Sequence, residues 1–166
     1  ALLLLLFLPP WLRQPETEND DTASSPSPAP VSQPAEQAVG SDAAHTLRLW
    51  DGSTVRTMTA TEYLPGVVRG EMPAAFEEEA LKAQAVAERT YLYYRLSAGS
   101  KDTHPDADVC TNPGCCTAWL SEAEAKEKWG EKFTSYEAKV QQAVTETDGQ
   151  VVLYDGAPIM AVFHSS

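Results

Sequence analysis

The sequence predicts an α+β fold in which one long, alanine-rich helix packs against short β-hairpins and two further helices. Three observations lead there. Within the stretch from Gly66 to Arg95, Phe76, Ala80, Ala83, Ala87, Tyr91 and Tyr94 recur at spacings of three and four, the apolar stripe of a helix buried on one side. Asp51-Gly52 and Asp155-Gly156 each stand between short apolar runs and mark tight turns between strands. Ser121 with Glu124 three residues on has the form of a capping box and opens a further helix.

Taken in order, the chain begins with the apolar run ALLLLLFLPPWL, residues 1–12. A spanning helix needs roughly 20 apolar residues, and Pro9 and Pro10 interrupt this run too soon. It reads as the remnant of a signal segment or membrane anchor. Residues 13–44 form a linker. TASSPSPAPVSQP mixes Ser, Pro and Ala without apolar periodicity, so it buries too little surface to offset its ordering entropy, and its prolines make it a semi-extended spacer. The folded domain is expected over 45–166. Leu47, Leu49 and Val55 alternate with polar neighbours around Asp51-Gly52, giving a hairpin with a tight turn. Residues 59–63 start a short helical turn, and 64–68 lead into Glu71.

Pro73 disfavours the helical region for Met72, so Glu71 is expected in an extended or turn segment aimed by the backbone. The long helix then runs over 74–96, with Glu77, Glu78 and Glu79 suiting the positive end of its dipole and Gly99 as its cap. Residues 101–117 are a loop punctuated by Pro105, Pro113 and Gly114. A second helix starts near Ser121. A third covers 136–147, with Val140, Ala143 and Val144 on one face. Strands at 151–154 and 158–163 make a second hairpin around Asp155-Gly156.

A chain of 166 residues is long enough for one domain with its own core. The net charge of -12 excludes binding of nucleic acid through its phosphates and adhesion to an anionic membrane by charge alone. Three cysteines cannot all pair, and the adjacent Cys115 and Cys116 are poor disulfide partners. His104, Cys110 and Cys116 form H-x5-C-x5-C in a turn-rich loop, and imidazole with thiolates is a zinc-binding set. A reduced thiol cluster beside a surface histidine is the alternative.

The stretch GVVRGEMPAAFEEEALKAQAVAERTY, residues 66–91, closely resembles the signature of sporulation protein D and the related amidase enhancers. The resemblance extends roughly from His45 to the end of the chain. It implies that Glu71, before Met72-Pro73, is the catalytic acid of a lytic transglycosylase. Such an enzyme cuts peptidoglycan glycan strands, stripped of stem peptides, to 1,6-anhydromuramyl ends during engulfment in sporulation. One carboxyl protonates the glycosidic oxygen and later takes a proton from the sugar's own 6-hydroxyl. The 2-acetamido group can stand in for the second carboxylate that ordinary glycosidases use. A net acidic protein is compatible with a largely uncharged glycan.

The resemblance also implies zinc at His104, Cys110 and Cys116, because Thr117-Ala118-Trp119 aligns with the family's Gln-Ala-Tyr after its second cysteine. That register leaves Cys115 as an extra, expected to be dispensable; the fourth position is open to water, Glu71, Cys115 or another group. Gln84, Arg89 and Tyr91 are expected to contact substrate, Arg89 by orienting a carboxylate or a sugar substituent. His164 and Ser165 match the family's Phe-His-Ser segment and are expected to line the cleft; with no acidic orienter they do not make a hydrolase triad. In the family this segment continues into further structure, so the domain is expected to be truncated here. The implied partners are glycan strands, a wall amidase and other engulfment proteins, with the protein extracytoplasmic and tethered to the membrane. The competing reading is a non-catalytic amidase enhancer or wall-binding module.

Overall fold

Residues 40–162 are described by the structure, a computed structural model. The apolar run at 1–12, most of the expected linker, and His164 and Ser165 lie outside the described residues.

The fold is α+β, as the sequence predicts. Strands β1 (Thr46–Trp50) and β2 (Val55–Thr59) pair antiparallel from Thr46↔Thr59 to Trp50↔Val55. β1 alternates as a half-buried strand does, with Leu47 and Leu49 turned into the core, whereas β2 has no buried residue. The connection is four residues long rather than a two-residue Asp-Gly turn. Asp51 accepts bonds from the Ser53 and Thr54 amides, each at 2.9 Å, and holds the loop closed. A third strand, β3 (Val109–Cys110), adds parallel to the other side of β1 and was not legible in the sequence.

Helix α1 (Ala60–Glu71) replaces the short turn expected at 59–63. Thr59 and Glu62 form a reciprocal capping box that starts it. Pro65 lies inside it and is tolerated because α1 is buried on a long face that includes Leu64, Val67 and Val68. Helix α2 (Glu78–Ala98) starts later than expected, after a turn at 74–76, and ends at Gly99. Helices α3 (Glu122–Trp129) and α4 (Phe133–Glu146) follow, α3 with its Ser121–Glu124 capping box. Strands β4 (Leu153–Tyr154) and β5 (Ala157–Pro158) flank Asp155 and Gly156, whose φ of 50° and 78° suit a hairpin turn with both central residues left-handed.

Helices α1, α2 and α4 pack on one another and on β1, burying Leu64, Val68, Leu81, Leu92, Val140 and Val144. The face that α2 buries is not the one its alanines predict. Phe76 is 50% exposed and Ala83 is exposed, whereas Leu81, Gln84, Ala85, Glu88, Arg89 and Leu92 are buried. Apolar periodicity misplaces this face because its polar members are paired inside the protein. Arg89 is 0% exposed; its Nε and Nη2 donate to Asp42 at 2.8–3.0 Å, its Nη1 to Thr147 Oγ1 at 3.2 Å, and its Nη2 to the Val144 carbonyl at 3.1 Å. Tyr93 Oη also donates to Asp42, at 2.9 Å. Asp42 sits in a 3-10 turn (Asp42–Ala44), so the folded unit takes in residues that the sequence reading gave to the linker.

Arg89→Ala is expected to cost about 3–5 kcal/mol, because it strands the Asp42 carboxylate in the interior. Arg89→Lys should recover only part, since one ammonium cannot reproduce the planar fork. Urea unfolding of both variants checks this, and wild-type midpoints would mean that the pair carries no stability.

Candidate functional site

Glu71 is the last residue of α1, not part of an extended segment. The proline rule acts one residue later: Met72 takes φ -127°, ψ 137° ahead of Pro73, and the helix stops there. The Glu71 side chain is half-buried, and its Oε1 accepts a hydrogen bond from the backbone N–H of Ala118.

That contact depends on residues 117–120 lying flat on α1. The Leu120 amide donates to the Gly66 carbonyl at 2.9 Å, and Trp119 Nε1 donates to the Tyr63 carbonyl at 3.1 Å. Tyr63 Oη and Thr117 Oγ1 meet at 3.2 Å. The approach requires glycine twice. A Cβ at Gly66 would lie 2.2 Å from the Trp119 indole nitrogen, and one at Gly70 would lie 2.7 Å from the Ala118 carbonyl oxygen. No rotamer change relieves the second clash, because its partner is backbone.

Beneath this site lies Glu88, on the buried face of α2. It is 1% exposed, and its carboxylate accepts a bond from Gln84 Nε2 at 2.8 Å. Burial pushes the Glu88 carboxyl up to about 8; the Gln84 bond opposes this and the negative charge of Glu71 adds to it. Glu88 is thus a second carboxyl within electrostatic reach of Glu71, largely neutral at pH 7. The signal that could have found it is its i, i+4 spacing to Gln84 across a buried face.

The three helix residues nominated for substrate have different fates. Gln84 is buried against Glu88. Tyr91 is 8% exposed, with Lys101 Nζ donating to its hydroxyl at 3.4 Å. Burial raises the Tyr91 phenol, as does the charge of Cys116 nearby. For Arg89 the expectation is corrected: every guanidinium nitrogen bonds within the core, so it does not orient a sugar substituent.

His104, Cys110 and Cys116 converge as their spacing suggests, and Cys115 joins them. Their donor atoms all lie within 4.8 Å of one another. Cys110 is fixed on β3 opposite Trp50. His104 Nδ1–H donates to the Ala107 carbonyl at 3.0 Å, which leaves the Nε2 lone pair facing Cys116 Sγ at 3.4 Å. Tetrahedral zinc, with Zn–S about 2.3 Å and Zn–N about 2.0 Å, spans ligand edges of roughly 3.5–3.8 Å, so these residues fit such an ion. Burial pushes the Cys110 thiol up to about 12. Burial also raises Cys115, but bonds with Thr103, Cys110 and His104 and the Lys101 charge outweigh it and bring the thiol down to about 7. Among the described residues all three cysteines are free thiols.

Residues 51–154 match the family model SpoIID, described as stage II sporulation protein. Stage II sporulation protein D of Bacillus subtilis (strain 168) is 33% identical over 173 residues, covering 100% of this chain and 50% of that protein. The protein of the same name from Bacillus amyloliquefaciens is 33% identical over 113 residues, 68% of this chain and 33% of that protein. An amidase enhancer of Bacillus subtilis (strain 168) is 33% identical over 103 residues, 62% of this chain and 12% of that protein. The chain therefore spans half or less of the length of these relatives.

Glu88 generates a prediction in pH. Its folded-state value, about 8, lies above the ordinary 4.5, so between these values the folded protein binds more protons than the unfolded chain. Stability should therefore fall as pH rises through this window. Glu88→Gln, which keeps the Gln84 contact but cannot ionise, should flatten that slope. Denaturant midpoints measured from pH 5 to 8 decide it, and parallel profiles for the two proteins would refute it.

Proposed function

The chain belongs to the stage II sporulation protein D family, and from that premise we propose that it acts on peptidoglycan as a lytic transglycosylase with Glu71 as its catalytic residue. The observation that supports this most directly is the Glu71 carboxyl, held at the end of α1 by the Ala118 N–H immediately before Met72-Pro73. In its protonated form Glu71 gives its proton to the glycosidic oxygen as the C1–O bond breaks. The resulting carboxylate then takes the proton of the C6 hydroxyl as that oxygen attacks C1, which closes the 1,6-anhydro ring and restores the acid. No water is consumed. The 2-acetamido group stabilises C1 between the two steps. Glu88 is too deeply buried to touch the sugar, and its link to Glu71 is through charge.

Zinc held by His104, Cys110 and Cys116 would cross-link β3 to the loop that runs into Ala118. The expected substrate is glycan already stripped of stem peptides, which makes a wall amidase the natural partner, with other engulfment proteins alongside. The apolar run at residues 1–12 and the proline-rich linker fit an extracytoplasmic protein tethered to the membrane. The second reading, an amidase enhancer that does not cut glycan, is favoured by the relative of that name. His164 and Ser165 stay with the proposal as cleft residues on the strength of the sequence resemblance alone.

Glu71→Gln in the full-length protein should lower release of anhydromuropeptides from amidase-treated sacculi by about 10²–10⁴-fold while leaving the fold intact. Equal release by the two proteins would remove Glu71 from the chemistry. A wild type that releases none, yet raises amidase activity, would favour the enhancer reading.

A further inference from the structure

We propose that Cys115 is the fourth ligand of the metal held by His104, Cys110 and Cys116, so that the shell closes with one imidazole and three thiolates. This rests on the zinc reading above and goes against the expectation that Cys115 is dispensable. The first support is placement: Cys115 Sγ lies in the same cluster, within 4.8 Å of the other three donors, whereas Glu71 is not among the groups that converge.

The second support is the backbone that permits it. In a strand, consecutive side chains point to opposite faces. Here the Cys115 and Cys116 amides both donate to the Asn112 carbonyl, at 3.0 and 2.9 Å, and Gly114 N donates to Asn112 Oδ1 at 2.9 Å. That turn folds the chain tightly enough to present both sulfurs to one point.

The third support is charge. Zinc with three thiolates carries one net negative charge, which needs a compensating group. Lys101 Nζ stands 4.0 Å from Cys115 Sγ and donates to the Cys115 carbonyl, and Thr103 Oγ1 lies 3.2 Å from the same sulfur. A water at the fourth position would occupy the space that Cys115 already fills. A closed shell of this kind has no open site for a substrate or for activated water. It acts on Glu71 by fixing Cys116, two residues before the Ala118 N–H.

The test counts sulfurs. X-ray absorption at the zinc edge of the wild-type, full-length protein should fit three sulfurs and one nitrogen. With cobalt in place of zinc, Cys115→Ser should lower the thiolate-to-cobalt charge-transfer absorption by about a third, one thiolate of three. Its zinc affinity, read by chelator competition, should fall by more than the roughly 10–100-fold that loss of a partner outside the shell costs. Cys116→Ser should behave the same way. Two sulfurs with two lighter atoms in the wild type, or unchanged absorption and affinity in Cys115→Ser, would overturn the proposal. A wild type that takes up neither metal would overturn the zinc reading itself, and this inference with it.

Discussion

The candidate site depends on one close approach, that of residues 117–120 to the glycine face of α1. Gly66 and Gly70 lie one turn apart and remove the two side chains that would hold the segment off. Once it is down, its polar groups are satisfied by the helix: the Leu120 amide by Gly66, the Trp119 indole by Tyr63, and the Ala118 amide by Glu71. Arg69 secures the same face from the other side, pairing with Glu137 of α4 while Nη1 donates to the Leu120 carbonyl at 3.4 Å. Helix, segment and α4 are thereby fixed together. The Glu71 carboxyl is placed by this assembly and not by its own rotamer preferences.

What was legible in the sequence was what is local. The hairpins, the Ser121 capping box and the apolar face of α4 are each written within a few residues, and the structure has them, though the first hairpin turns over four residues and the second has strands of two residues each where 151–154 and 158–163 are expected. Helix α1 was obscured because Pro65, Gly66 and Gly70 read as breakers, although the Thr59–Glu62 box announces its start. The glycines are there for the segment that docks on them, a reason that lies some fifty positions away in the chain. The buried face of α2 is misplaced on similar grounds: its polar residues find partners inside the protein, Gln84 and Glu88 in each other and Arg89 in Asp42 and the end of α4. In the loop, the spacing of His104, Cys110 and Cys116 was enough to suggest convergence. Cys115 is an extra by the family register alone, and the turn at Asn112 that brings its sulfur to the others is not written in the spacing.

The half-buried Glu71 and the buried Glu88 bear on the choice of mechanism. An ordinary glycosidase needs a second carboxylate that reaches the sugar or a water on its far face. Glu88 meets neither requirement, since it is sealed on the buried face of α2 and neutral over most of the physiological range. Its proximity to Glu71 thus does not rebuild the two-carboxylate arrangement. The proposed reaction, in which one carboxyl cycles a proton and the sugar supplies its own nucleophile, does not ask for that arrangement.

The His/Cys cluster and Glu71 stand at two ends of one short piece of backbone. Cys116 and Ala118 are separated by a single residue, Thr117, which is itself buried and held by Tyr63. Over so short a distance the chain has little freedom to absorb a displacement, so a shift of Cys116 is passed on to the Ala118 N–H. An ion bound by four protein ligands would therefore influence Glu71 through position and not through Lewis acidity. This accounts for thiolates in a site beside proposed proton-transfer chemistry. Sulfur ligands bind zinc tightly and leave it electron-rich, which suits a cross-link better than the activation of water.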